Sequence, residues 1–111
     1  GASYELEWTD SHPAVYNDGQ VVDFVKSVVP KISDGKLTII EERSTAGEDF
    51  SEFTDRIPGV FIHVGSGNQE KDSCYALHNP KFKLDEDAMQ IGIELHVRTA
   101  LKWFEKMGER L

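Results

Sequence analysis

The chain has 111 residues, 39% hydrophobic and 29% charged, with 20 acidic against 12 basic side chains and a formal net charge of −8. That length suits one small domain or part of a larger one, and an acidic chain without a Lys/Arg cluster argues against a nucleic-acid partner. No apolar run approaches the ~18 residues a membrane helix needs, no signal peptide is visible, and the lone Cys74 allows no intrachain disulfide and fits a reducing, cytoplasmic setting.

The chain opens Gly-Ala-Ser-Tyr and runs almost at once into a strand pattern, as expected of a piece of a longer protein. Ser3 to Thr9 alternates, with Tyr4, Leu6 and Trp8 on one side and Glu5 and Glu7 on the other, the signature of a half-buried strand. Asp10 to Pro13 breaks it with turn-forming residues, and Pro13 to Asn17 reads as a hinge. Asn17 or Asp18 can cap a helix running to about Val29, where Pro30 ends it. Asp34-Gly35 makes a turn. Lys36 to Glu42 is a second expected strand, and Thr45 to Arg56 a short helix closed by Pro58-Gly59.

Val60 to Val64 is apolar on both faces, as in a central strand covered by helices. Gly65 to Tyr75 is a polar loop. Asp85 opens a last helix to about Lys106, with one narrow polar stripe (Asp87, Gln90, Glu94, Arg98, Lys102, Glu105), so most of its girth should be buried. Glu94 and Arg98 stand four apart and can pair. Strand and helix alternate through the chain, the pattern of an α/β fold. The last helix presents more apolar surface than three short strands can cover, and those strands would leave open edges, so further mass is expected to cover both.

Chemistry-bearing residues are few. His78, beside Asn79 and Pro80, is the best candidate metal ligand. A zinc site, however, needs three or four protein ligands, and no HxxxH, HExxH or CxxC spacing is present. Glu48 and Asp49 read either as paired carboxylates or, more simply, as helix-capping acids, Thr45 and Glu48 having the spacing of a capping box. Gly65, Ser66, Gly67 and Asn68 could offer backbone N–H groups to a substrate carboxylate or could be an ordinary flexible loop. His63 and His96 read as core histidines and His12 as a solvated one. Cys74 lacks the basic neighbourhood of a nucleophile apart from Lys71.

The run Gly47-Glu48-Asp49-Phe50-Ser51, then Ile57-Pro58-Gly59, Val64-Gly65-Ser66-Gly67-Asn68, and Leu77-His78-Asn79-Pro80 followed by Asp85-Glu86-Asp87-Ala88, resembles successive motifs of the metal-dependent amidohydrolases, the family of aminoacylases, hippurate hydrolases and indole-acetyl-amino-acid hydrolases. The resemblance covers most of the chain. It implies part of an α/β/α sandwich catalytic domain. Residues 1–12 would be the last strand of an inserted lid and dimerisation domain, 13–18 a hinge around Pro13 and Asn17, and 19–111 the C-terminal part of the catalytic domain. It implies His78 as one ligand of a two-metal site, zinc first with manganese or nickel as alternatives. Gly65 to Asn68 would line the cleft, with Glu48 and Asp49 capping a helix beside the site. The general base and the other ligands would lie upstream, so no catalytic residue is expected here and the fragment alone should be inactive, with no metal of its own.

The implied substrate is an N-acyl amino acid or related small amide. The implied partners are the remainder of the catalytic domain and a second copy in a homodimer. The competing expectation is a non-catalytic α/β module whose apolar helix serves self-association.

Overall fold

The computed structural model describes residues 1–9 and 12–108. The expected turn at Asp10 to Pro13 therefore falls partly on residues 10 and 11, outside the described residues. Asp18 starts helix α1 (Gly19–Lys26): its carboxylate accepts the backbone N–H groups of Gln20 and Val21 at 2.9 and 3.0 Å. The helix stops three residues before the expected Val29. Pro30 has no N–H to donate to the Lys26 carbonyl, so α1 does not continue through it, and the chain tightens instead into two short helical turns, Val29–Lys31 and Ser33–Gly35. Ser33, Asp34 and Gly35 take φ of 48, 54 and 73°, which places the expected Asp34-Gly35 turn in the left-handed region that glycine enters freely and Asp tolerates.

Helix α2 is one turn long (Ser51–Thr54), far shorter than the expected 45–56. Its start is fixed by Ser51, fully buried, whose hydroxyl donates to the Glu48 carbonyl at 2.7 Å. Helix α3 (Asp87–Gly108) has 22 residues and is the longest element. The Glu94–Arg98 pair forms on it, with Nε 2.6 Å from the carboxylate.

The core lies between α1, the two short turns after it and one face of α3. Val25, Val28, Ile32 and Leu95 are buried, with Phe24, Val29, Leu37, Val60 and Ile91 packed around them. Phe24 meets Trp103 edge to face at 5.3 Å, an arrangement aromatic pairs favour. Lys102 reaches across from α3 to the Ser27 hydroxyl.

The opposite face of α3 is bare. Leu95 is 8% exposed, whereas Ile93 is 64% and Phe104 72% exposed, and Met89, Val97 and Leu101 lie open beside them. At 3.6 residues per turn Ile93 and Leu95 stand roughly 200° apart, so α3 is apolar on two opposite faces and the described residues cover one. The expectation of a helix buried over most of its girth is met only on that side.

Among the described residues no strand ladder forms. The segments expected as strands, Ser3 to Thr9, Lys36 to Glu42 and Val60 to Val64, carry no regular structure. A strand exists only through hydrogen bonds to a neighbour. Ile39, Ile40 and Ile62 are exposed, as are Tyr4 and Trp8. His63 and His96 are also exposed rather than in the core, because no layer formed by the described residues lies over them. His63 meets Phe61 edge to face at 5.0 Å.

The accessible surface of 9945 Å² compares with roughly 6,200 Å² for a folded monomer of this mass, and the radius of gyration of 18.5 Å with about 13 Å for a compact chain of this length. The described residues thus bury a small core and leave a second apolar surface open.

Residue 17 supplies the closest approximation to strand pairing. The Asn17 carboxamide accepts the Phe61 N–H at 2.8 Å and donates to the Phe61 carbonyl at 3.2 Å, and the Asp18 N–H donates to the Gly59 carbonyl at 2.9 Å. One side chain therefore satisfies both backbone groups of a residue 44 positions away. Two substitutions test these contacts by thermal or denaturant unfolding. Leu95→Ala should cost about 2–4 kcal/mol through the cavity it leaves. Asn17→Asp keeps the shape but, when ionised, is acceptor-only and should cost about 1–2 kcal/mol. An unchanged midpoint for Asn17→Asp would show that Phe61 is held by other means.

Candidate functional site

His78 sits at the third position of a tight turn closed by the Asn79 N–H donating to the Ala76 carbonyl at 3.1 Å. Its φ is +67° while Leu77 before it stays at negative φ, the arrangement of a type II turn, whose third position favours glycine or asparagine. Histidine enters this region more readily than most non-glycine residues. Asn79 fixes the exit: its side-chain oxygen accepts the Lys81 N–H at 2.9 Å and its carbonyl the Phe82 N–H at 2.8 Å. The His78 ring is exposed and has no hydrogen-bond partner among the described residues.

The loop that carries this turn is tied at its base. The Asp85 N–H donates to the Ser66 carbonyl at 2.9 Å. The Asn68 amide donates to one Asp85 oxygen at 2.7 Å, and Lys71 Nζ to the other at 2.5 Å, with a further bond from Lys71 to Asp87 at 2.6 Å. Ser73, almost fully buried, accepts the Asn68 N–H through its hydroxyl at 2.9 Å, and its own N–H donates to the Asn68 carbonyl at 2.9 Å. The Asp85 side chain is only 12% exposed, and it also accepts the Asp87 N–H at 3.2 Å, which caps α3.

The Lys71 ammonium, followed by the Asn68 amide, holds the Asp85 carboxyl below the usual carboxylate range. Asp85 and Asp87 in turn raise Lys71 above the usual lysine range. The charged pair is therefore intact at neutral pH.

The glycine loop divides into two parts. Gly65 and Gly67 are exposed, and the N–H groups of Gly65, Ser66 and Gly67 have no partner among the described residues. Asn68, by contrast, has its backbone and side chain committed inside the loop, its side-chain oxygen accepting the Glu70 N–H at 3.0 Å.

Glu48 lies at the start of α2, where its carboxylate accepts the Phe50 N–H at 3.2 Å. The bond spans two residues and does not involve Thr45, because α2 begins six residues after it. Asp49 is exposed, and its carbonyl accepts the Glu52 N–H at 3.0 Å. Pro13 is exposed at the hinge, and His12 Nδ1 lies 3.1 Å from Glu52 Oε1.

The structure thus joins Ser66, Asn68 and Asp85 in one assembly, whereas Glu48, Asp49 and Asn17 make contacts elsewhere and Pro13 is exposed. The sequence marks Asp85 as the start of the last helix and Lys71 only as a neighbour of Cys74, and it does not mark Ser73. The only signal that they meet was the recurrence of polar residues at both ends of one long loop.

Among the described residues no group of three or more His, Cys, Asp or Glu side chains could hold a metal ion. The donor set suits a metal only to the extent of one open imidazole, that of His78.

Residues 2–102 match the peptidase family M20/M25/M40. The chain belongs to this family. It is similar to thermostable carboxypeptidase 2 of Saccharolobus solfataricus, 33% identical over 96% of this chain and 26% of the relative. It is similar to the N-acetylcysteine deacetylase of Bacillus subtilis, 31% identical over 91% of this chain and 25% of the relative. It is also similar to IAA-amino acid hydrolase ILR1-like 6 of Arabidopsis thaliana, 29% identical over 82% and 19%. The chain spans about a quarter of the length of the first two. No solved structure matches it. The resemblance read from the motifs between Gly47 and Ala88 is thereby established at the level of the family.

The Asp85 network sets a pH dependence. A carboxyl whose folded pKa is depressed contributes stability above its unfolded value and loses it as pH falls through the folded one. The unfolded value is about 3.9, so the stability gap between wild type and Asp85→Asn should be constant near neutrality and shrink between roughly pH 5 and pH 2. Thermal midpoints across that range check it. A gap independent of pH would mean that the Asp85 charge contributes nothing.

Proposed function

We propose that this chain is the C-terminal portion of a two-metal amidohydrolase that cleaves N-acyl amino acids or related small amides, and that the fragment alone is inactive. Membership of the M20/M25/M40 family supports a hydrolase, and the names of the relatives support the amide substrate class: one is an N-acetylcysteine deacetylase and another an amino-acid-conjugate hydrolase. The single structural observation behind the site assignment is His78, an unpartnered imidazole at the tip of a turn fixed on both sides.

In this reading His78 offers one ring nitrogen as a ligand, and the remaining ligands and the general base come from sequence outside these residues. Two divalent ions, zinc first and manganese or nickel as alternatives, supply polarisation of the amide carbonyl and an acidified water. The unpartnered N–H groups of Gly65, Ser66 and Gly67 would receive the substrate's carboxylate or amide oxygen from the wall of the cleft. Asn68 would shape that wall rather than touch the substrate, since its own groups are taken.

The same reading makes the chain part of an α/β/α sandwich. The bare face of α3 and the unpaired segments around Ile39 and Ile62 would then meet the rest of the catalytic domain. The exposed Tyr4, Leu6 and Trp8 would belong to a lid domain that also forms a homodimer. A cytoplasmic setting accompanies it, supported by the lone thiol of Cys74. A non-catalytic module that self-associates through α3 draws on the same bare face but leaves the family match without a role.

In the complete enzyme, His78→Ala should lower bound metal from two equivalents toward one or none, and chelator should abolish amide hydrolysis in wild type. Metal analysis after dialysis measures the first and an acyl-amino-acid assay the second. Full metal content in His78→Ala would end the ligand assignment.

A further inference from the structure

We infer that Asp85 is a positioning residue for His78: through Asn68, Lys71 and the Ser66 carbonyl it closes the loop whose tip presents the imidazole, without touching the imidazole itself. The inference rests on the reading of His78 as a metal ligand. The His78 side chain makes no hydrogen bond among the described residues, so its position is set by backbone alone. That backbone depends on the turn from Ala76 to Asn79 and on the two anchors that bracket it, Ser73 before and Asp85 after.

Both anchors converge on Asn68, which meets Ser73 through its backbone and Asp85 through its amide at 2.7 Å. Asp85 is the only one of these groups that binds Ser66 and Asn68 at the start of the loop, Lys71 within it and the first turn of α3 together. Without its carboxylate, the loop loses the ties to Asn68 and Lys71 at once and keeps only the backbone bond to Ser66 at its base, so the surroundings that over-determine the left-handed backbone of His78 are weakened.

Helix capping alone would explain a carboxylate at Asp85, so the test separates the two roles. Asp85→Ser retains a good N-cap for α3 but is too short to reach Asn68 and Lys71. Asn68→Ala leaves the cap untouched and removes the Asn68–Asp85 tie. Zinc affinity of the complete, metal-stripped enzyme, measured by competition with a chelating dye, should fall roughly tenfold in both, the lower end of what outer partners of metal ligands contribute. Asp85→Asn, which keeps an oxygen for the Asn68 amide, should recover part of the loss. At saturating zinc, Asp85→Ser should regain wild-type kcat whereas His78→Ala should not.

In the zinc-free protein, amide exchange at Asn79 and Phe82 should be faster in Asp85→Ser than in wild type. Unchanged exchange at Val22, whose N–H donates to the Asp18 carbonyl at 2.8 Å in α1, shows that the loosening is confined to the loop and is not a loss of fold. Loss of zinc in His78→Ala with unchanged affinity and exchange in Asp85→Ser and Asn68→Ala would overturn the inference and leave Asp85 as a helix cap. Wild-type zinc binding in His78→Ala would instead remove the ligand reading beneath it.

Discussion

A helix that is apolar on two opposite faces needs a layer on each, and α3 is such a helix. One face is satisfied within the chain, where Leu95 closes against Val25, Val28 and Ile32. That contact orients α1 against α3. Through Asp18 and Asn17 it also fixes where the segment from Gly59 to Phe61 lies. The other face, from Met89 through Ile93 and Val97 to Phe104, finds nothing to meet among the described residues. Burying such side chains is the dominant favourable contribution to folding, so the arrangement is half of a packing solution, and the open surface area expresses the same imbalance.

The elements legible in the sequence were those whose stabilisation is local. Asp18 as a cap, the Asp34-Gly35 turn and the long helix after Asp85 all follow from bonds within a few residues and appear, whereas α1 stops at Lys26, short of the expected end at Val29. The three strands were equally well patterned, yet pattern specifies only which face a strand would bury. Its existence depends on partners far along the chain or beyond it, and Val60 to Val64 shows the difference: an apolar run suited to a sheet centre that here lies half open. Glu48 marks the intermediate case. The residue does accept a helix-start N–H, but from Phe50 rather than within a Thr45 capping box, because the burial of Ser51 set the start of α2 later than spacing suggested.

The candidate site was legible in its types and not in its connections. His78, the glycine loop and the acids before α3 stood out because histidine, glycine and carboxylate are chemically conspicuous. The ties from Asn68 to Asp85 and from Asn17 to Phe61 span 17 and 44 residues, and no local rule singles out such pairs. Nor does composition reveal that Asn68 has already committed its amide, which moves it from a contact for substrate to a brace for the loop wall. The positive φ of His78 was likewise hidden, since a His-Asn-Pro sequence is compatible with several turns.

A ligand that stands apart from its partners faces a specific physical demand. Side chains within one ligand cluster can be aligned by contact with one another or with the metal. An imidazole supplied from a separate loop must be placed by its own backbone before the cluster assembles, or the ordering cost falls on metal binding itself. The left-handed turn at His78 restricts the ring's direction, Asn79 fixes the chain after it, and the Ser66–Asn68–Asp85 closure limits how far the loop can move. These three features operate on different stretches of backbone and all bear on where the His78 ring lies. Their joint presence makes the turn the part of this chain in which local strain, loop closure and the chemistry of the side chain at its tip point the same way.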